Sequence, residues 1–476
     1  MDSKSMQMEK RKTDTKVRTY HFVGIGGCGM SGLAAVLAQH GHRVTGSDMQ
    51  SSEVVDRLGR RGIRVQVGHG TEHMPEQVDC LVVSAAVKGD NPEVVWAKER
   101  GIRICKYAEM LGELTREIRT LAVAGTHGKS TTSGWLAYML KEAGRDPSFV
   151  IGAHVVQLGS GSGAGSGEHL VVEACEYDRS FLNLQPWAAG ILNIEEDHLD
   201  YYSGIAEIKG AFRDFAERVV PGGAVVANGD DVKVRETLDG AAVECEYYSV
   251  MGEGSWQAVG IEYENGQGVF DLVHEGRKVE RVKLALAGTH NVCNALAVSA
   301  LGRRAGLEEP EICQALAGFT GVGRRMSYKG EVGGVVVVDD YGHHPTEIRV
   351  TLEAIRSKYQ PKRLFCVFQP HQHSRTRFFL SEFALSFGKA DVVLLPDIYF
   401  VRDSETMRAE ITAGRLAERI TAEGGRAKYL GDFESILEYL CGEVKSGDVV
   451  VTMGAGDVWK LADEFVCRLG SDSQRK

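Results

Sequence analysis

Short apolar runs alternate along the chain with longer stretches in which apolar residues recur at helical spacing, a pattern that predicts layered α/β structure. TYHFVGIGG (19–27) is a strand entering a glycine turn, MSGLAAVLAQHGH (30–42) a helix, and RVTGSD (43–48) a second strand ending in Asp48. IRVQVG (63–68), DCLVVSAAV (79–87) and IRICK (102–106) continue as short strands, and the helix AEMLGELTRE (108–117) closes this first block. A second block opens with strand RTLAVAG (119–125). It carries a Gly/Ser tract, LGSGSGAGSGEH (158–169), which predicts a flexible surface loop ahead of strand HLVVEA (169–174). The third begins near FTGVGRR (319–325) and runs through GVVVVDDY (334–341), RLFCVFQPH (363–371) and DVVLLPD (391–397) to DVVVTMGAG (448–456) and a last helix.

Composition narrows the class without choosing a function. A chain of 476 residues predicts about three domains. The net charge of -10 argues against a large nucleic-acid footprint, and no apolar run reaches the ~20 residues that span a membrane. Residues 1–17 are polar and predict a mobile tail, not a secretory signal. The ten cysteines include no C-x-x-C and predict reduced thiols in a cytoplasmic protein.

Two glycine turns carry the first candidate chemistry. Gly24, Gly26 and Gly29 satisfy G-x-G-x-x-G between strand and helix, with Gly27 inside the turn and Asp48 beyond it. That context fits a pyrophosphate at a helix N-terminus and an acid for a ribose hydroxyl. An unliganded tight turn, a nicotinamide dinucleotide and a sugar nucleotide all remain open on these residues. The second turn is Gly125-Thr126-His127-Gly128-Lys129-Ser130-Thr131-Thr132, between a strand and the helical WLAYMLKEAG (135–144). Its backbone N–H groups can converge on phosphate oxygens, Lys129 supplies a cation and Ser130 a Mg²⁺ ligand, so ATP is the expected ligand. Val123 stands where the longer phosphate-loop motif has glycine, which shortens the loop and leaves the cradle. Glu173 ends one strand and EEDHLD (195–200) follows another; Glu173 and His198 are candidates for holding Mg²⁺. The other acids predict a helix N-terminus capped by Asp197 or Asp200.

Six motifs in order, GIGGCGMSGLA (24–34), GTHGKSTT (125–132), NIEEDHLD (193–200), GTHNVCNALA (288–297), FTGVGRRM (319–326) and DDYGHHPTEI (339–348), resemble those of the Mur ligases of bacterial cell-wall synthesis. Within the family they resemble the members that join L-alanine to UDP-N-acetylmuramate. The resemblance runs from about residue 18 to the final helix. It implies three domains: a Rossmann-like UDP-sugar domain (18–117), a central P-loop ATPase with a mostly parallel sheet (118–321), and a Rossmann-like domain on the amino-acid side (322–476). Gly24, Gly26, Gly27, Gly29 and Asp48 are then expected to bind the sugar nucleotide. Residues 125–131, His290, Asn291, Asn294 and Asp340 are expected to bind ATP, with Asp340 on the ribose. Ser130, Glu173 and His198 are the implied metal ligands. Arg325 is implied to approach the γ-phosphate, and Tyr341, His343 and Arg375 to handle the amino acid and acyl-phosphate end, His343 as candidate general base. His344, before Pro345, is expected to be structural. The implied partners are UDP-N-acetylmuramate, L-alanine, ATP and Mg²⁺, with no nucleic acid and no membrane insertion, in a monomer or homodimer.

The chain departs from the family pattern in a few places. Cys175 stands where an aspartate is usual and is expected to be a small buried thiol; Gln372 in HQHSRTR (371–377) replaces an arginine associated with the acceptor amino acid. VSAAVKGDNPE (83–93) and Tyr107 also differ from the usual uridine-side pattern. A sister enzyme that joins a whole tripeptide to the same sugar usually reads G-I-C-G-T at the first turn, unlike GIGGCG here. A dehydrogenase reading of Gly24–Gly29 leaves GTHGKST without purpose.

Overall fold

A computed structural model describes residues 17–401 and 403–473. The expected tail therefore lies outside the described residues except for the exposed Val17. The chain divides into two compact units, up to Met110 and from Leu111 onward.

In the first unit, β1 (Thr19–Val23), β2 (Arg43–Asp48), β3 (Arg64–Val67), β4 (Cys80–Val83) and β5 (Arg103–Lys106) form a parallel sheet ordered β3-β2-β1-β4-β5. The order reverses between β1 and β4. Such a switch point opens a crevice at the strands' carboxyl ends, where the Gly24–Gly29 turn lies. Gly29 is the third glycine of that turn, and a Cβ on it would sit 2.7 Å from the Tyr107 ring, so the helix starting at Cys28 packs closely only because the residue is glycine.

The second unit contains two sheets. The larger comprises β6 (Arg119–Ala124), β7 (Ser148–Val155), β8 (Ser160–Gly163), β9 (His169–Glu173), β10 (Ala188–Ile191), β11 (Ala224–Asn228), β12 (Glu244–Ser249), β13 (Trp256–Glu264), β14 (Gln267–His274) and β15 (Arg277–Ala287). Their order is β15-β14-β13-β12-β11-β10-β6-β9-β7-β8. The strands from β12 across to β7 run parallel, and their buried runs are apolar on successive residues because helices cover both faces. Helix Lys129–Glu142 is buried from Ser130 to Leu140, with Trp135 stacked on Phe319 at 5.2 Å. Antiparallel β13, β14 and β15 extend one edge.

At the other edge the Gly/Ser tract departs from its expectation. Ser160–Gly163 is an edge strand paired antiparallel with β7, and Ser166 is tied by backbone and hydroxyl to Asp146. Alternating serine and glycine has strand periodicity, and Gly163 leaves room for the Phe149 ring, 2.6 Å from where a Cβ would stand.

The third sheet holds β16 (Ser327–Val332), β17 (Val335–Asp340), β18 (Leu364–Phe368), β19 (Val392–Pro396), β20 (Ala427–Gly431) and β21 (Val449–Met453), ordered β16-β17-β21-β18-β19-β20. All pairings but β16–β17 are parallel. The fold is thus α/β with three mostly parallel sheets. No helix among the described residues is long and apolar enough to cross a membrane.

Candidate active site

The phosphate loop sits between the end of β6 and helix Lys129–Glu142. Gly128, at φ +83, occupies its N-cap, and a Cβ there would meet Asn294 Oδ1 at 2.9 Å. Only glycine accepts both the left-handed backbone and the close approach. The loop is cross-tied to the segment after β10: His127 N–H donates to Asn193 Oδ1 at 2.7 Å, and Glu195 N–H donates to Thr126 Oγ1 at 2.8 Å. Ser130 donates to Glu173 Oε1 at 3.0 Å, while Glu173 Oε2 accepts from Gly152 N–H at 2.7 Å. Ser130 and Glu173 offer oxygen donors beside a phosphate cradle, which suits Mg²⁺.

A cavity of about 300 Å³ opens from the loop, bounded by His127, Gly128 and Thr131 on one side and Arg325 and Asp340 on the other. His290, Asn291 and Asn294 also line it. Asn291 donates to Ala287 O and accepts from Asn294, so the pair is fixed against the helix Thr289–Arg304. Burial lowers His290 to about 4, which leaves the ring neutral. Asp340 is buried, and burial raises it to about 6 even though Met326 and Gly342 N–H groups donate to its oxygens. Arg325 Nη1 reaches Glu347 Oε1 at 3.1 Å, and its guanidinium lies 5.3 Å from the Tyr341 ring centroid.

The EEDHLD segment does not begin a helix. Asp197, expected to cap one, is buried and accepts from Arg375 Nε at 3.2 Å and Nη2 at 2.8 Å. Glu195 accepts from the Thr346 hydroxyl at 2.7 Å. These acids face charged and polar partners from the third sheet's helices, an interaction energy that a helix cap in water does not supply. His198 takes φ +53, a conformation costly for a non-glycine residue and typical of functional segments. Arg324, Met326 and Gln372, at φ +59, +45 and +68, share this feature.

His343 Nδ1 lies 3.2 Å from Tyr341 O, an acceptor only, so Nδ1 carries the hydrogen and Nε2 keeps its lone pair. Burial pushes this ring down to about 3. His344 is structural: Nδ1 accepts from Thr346 N–H and Nε2 faces Glu196 O, while Glu347 Oε2 accepts from His344 N–H to complete a capping box on helix Pro345–Tyr359. Cys175 corrects its expectation, being exposed; the surrounding protein and the Glu176 carboxylate nonetheless push its thiol up to about 12. Gln372 is buried at the N-cap of helix His373–Phe378, and with Asp197, His198 and Arg375 it lines a small cavity of about 110 Å³.

In the first unit, the Gly24–Gly29 turn borders a cavity of about 410 Å³ lined also by Asp48, His69 and Asn91. Asp48 Oδ2 accepts from Gly26 N–H at 2.8 Å, which holds the turn against β2. His69 is fixed through Ser47 to the buried Glu93.

Comparison with known proteins fits this arrangement. The family models described as Mur ligase catalytic, middle and glutamate ligase domains match residues 19–119, 123–302 and 324–456. A curated UDP-N-acetylmuramate–L-alanine ligase of Geobacter sulfurreducens is 43% identical over 456 residues, 95% of this chain and 98% of the relative. The chain belongs to the Mur ligase family. A ligase of the same name from Caldanaerobacter subterraneus is 40% identical to this Mur ligase over 95% of the chain and 98% of the relative. The crystal structure of a UDP-N-acetylmuramate–alanine ligase from Thermotoga maritima has a TM-score of 0.77 at 26% identity, covering 96% of this chain and all of the other. A murein peptide ligase from Psychrobacter arcticus gives 0.68 at 27%, covering 95% and 99%.

Sequence motifs of this Mur ligase did not reveal the acids that organise the site. Glu176 pairs with Lys129, and Glu347 faces both Arg325 and His127. Glu347 had a usable signal, three residues after the N-cap of a helix that begins with proline. Glu176 had none beyond its position three residues past Glu173, in the segment after β9.

His127 gives a testable pH signature. Burial disfavours charge on its ring, but Glu195 and Glu347, at 3.6 and 3.4 Å, outweigh this and raise it to about 9. A folded-state value above the unfolded 6.5 adds stability that is complete below pH 6.5 and lost as pH rises through 9. The loss is at most about 3 kcal/mol. His127→Asn should flatten the difference between urea-unfolding stabilities at pH 6.5 and 9.5. An unchanged slope would show that the ring is neutral in the fold.

Proposed function

We infer that this Mur ligase joins L-alanine to the lactyl carboxylate of UDP-N-acetylmuramate at the expense of ATP, a cytoplasmic step of peptidoglycan precursor synthesis. The observation carrying the reading is full-length similarity to curated enzymes of that name, on a chain that keeps the phosphate loop, its lysine and the charged groups around it. Residues 18–117 take the sugar nucleotide, 118–321 ATP and 322–476 the amino acid.

In the first step a carboxylate oxygen attacks the γ-phosphorus, the bond to the β-phosphate oxygen breaks, and ADP leaves with the electron pair. Two anions meet, so cations decide the rate. Lys129 and the loop N–H groups hold the phosphates, Arg325 lies across the same cavity, and Asp340 accepts from the ribose. Bound at Ser130, Glu173 and His198, Mg²⁺ would neutralise charge on the transferring phosphoryl group. In the second step the α-amine attacks the acyl carbonyl, and the tetrahedral intermediate expels phosphate to leave the amide. Arg375 binds the alanine carboxylate. His343, neutral at pH 7, accepts the amine proton as the bond forms, and the departing phosphate, the stronger base, takes it over.

Phosphate release from ATP with Mg²⁺ and UDP-N-acetylmuramate tests the reading, with L-alanine, glycine, L-serine and the L-Ala-D-Glu-diaminopimelate tripeptide supplied singly. L-alanine is expected to give the fastest turnover and an amide product of matching mass. Turnover with the tripeptide alone would assign the sister activity, and turnover with none would refute ligation.

A further inference from the structure

Beneath the first unit's cavity lies a buried charge centre that the ligation chemistry does not use. Glu93 is fully buried in the first turn of helix Pro92–Glu99, and ring nitrogens of His21, His69 and His73 lie 3.5, 3.8 and 3.6 Å from its oxygens. Burial opposes its charge, but His21, Ser47 and Gly70 outweigh this and hold the carboxyl below its ordinary value. Glu93 Oε1 accepts from Gly70 N–H at 3.0 Å, and Oε2 accepts from the Ser47 hydroxyl at 2.6 Å. Ser47 has one hydrogen, and it goes to the carboxylate. Its oxygen can therefore only accept from His69 Nδ1, 2.9 Å away, so Nδ1 carries the hydrogen of the neutral ring. His69 lines the cavity, and its Nε2 makes no hydrogen bond to a described residue. That nitrogen offers the cavity a lone pair.

Its place along the sheet decides what meets it. The glycine turn follows β1, Asp48 ends β2 and His69 comes two residues after β3, three parallel strands side by side. With neighbouring strands ~4.8 Å apart, His69 stands about 10 Å from the turn. Pyrophosphate at the turn, ribose at Asp48 and base at His69 is the order in which a nucleoside diphosphate presents its parts. Uracil carries a hydrogen on N3, whereas cytosine has a lone pair there. We propose that Glu93 is a positioning residue that fixes the hydrogen-bond polarity of His69 through Ser47, and that His69 Nε2 thereby selects a uracil base by accepting from its N3–H. A cytosine N3 in the same place would set two lone pairs against each other, a loss of about 10–100-fold in affinity.

This rests on the sugar-nucleotide reading of residues 18–117 and deepens it. Calorimetric binding of UDP and of CDP to the full chain tests it and needs neither alanine nor ATP. The unaltered protein should bind UDP about tenfold or more tightly than CDP. In Glu93→Gln the amide oxygen stays on Gly70 N–H and the amide nitrogen turns to Ser47. Ser47 then donates to His69 Nδ1, and Nε2 gains the hydrogen. UDP should weaken about tenfold or more, and CDP should tighten. A merely structural role would weaken both alike, and an unchanged ratio of the two affinities would overturn the proposal. Because a buried substitution can weaken the fold, nitrogen NMR of the histidine rings in the unaltered chain is the second measurement. The His69 signals, identified by their loss in His69→Gln, should show the Nδ1–H tautomer. A ring with its hydrogen on Nε2 would overturn the proposal without any change at Glu93. Loss of alanine-dependent turnover with the preference for UDP intact would overturn the ligase reading alone.

Discussion

Lys129→Met should lower ATP-dependent turnover by at least ~10³-fold and, separately, destabilise the fold by about 3–5 kcal/mol. The catalytic loss follows from removing the cation that meets the phosphates in a site where two anions must react. The stability loss has another source. Lys129 and Glu176 are 13% and 4% exposed, and burial opposes the charge on Lys129 while Glu176 overrides it and holds the ammonium's proton affinity above the usual lysine value. Deleting the lysine leaves the carboxylate buried against other protein groups. Lys129→Met with Glu176→Gln should therefore recover most of the stability and none of the activity. Denaturant unfolding alongside phosphate release separates the two effects. A double variant no more stable than Lys129→Met would mean that the ion pair is not what the single change breaks.

Arg375→Ala should have the next largest effect. Arg375 and Asp197 are 6% and 7% exposed, and two guanidinium nitrogens converge on Asp197 Oδ1 while Nη1 lies 3.3 Å from His371 Nδ1. Removing the arginine strands a buried carboxylate, again about 3–5 kcal/mol. If the free edge of the guanidinium also binds the acceptor carboxylate, kcat/KM for L-alanine should fall by ~10²-fold or more. Arg375→Lys should keep part of the stability but little of the affinity, because an ammonium lacks the planar fork. An alanine KM unmoved in Arg375→Lys would make Arg375 a brace between elements and not a substrate contact.

Much of this arrangement is legible in the sequence, and what is not has a common cause. Strands β1, β6, β17 and β21 and both glycine turns can be read directly because parallel strands buried on both faces are continuous apolar runs. Lys129, Ser130 and Glu173 can be read because strand, loop and helix bring them together within one local unit. Asp197 and Glu195 cannot. In sequence they look like a solvated acidic turn, and only pairing with Arg375 and Thr346, some 150 or more residues away, reveals their role. Ser160–Gly163 misleads in the opposite direction, since glycine content signals flexibility while alternation and the Phe149 ring make it an edge strand. Antiparallel β13–β15 lacks a local mark because one face is solvated and its apolar runs are broken.

The third sheet has a consequence for how the protein is made. β21 lies between β17 and β18 yet is synthesised after every other strand of that sheet. Thr452 on it donates to Asp339 at 2.8 Å, and Gly454 N–H donates to Asp340 O at 3.1 Å. Without that strand β17 and β18 have open inner edges, and the Asp340 backbone lacks its partner even though Met326 and Gly342 already hold the carboxylate. Closure of this sheet therefore waits on its last-made strand, and until β21 inserts, the inner edges of β17 and β18 are open templates for wrong pairing.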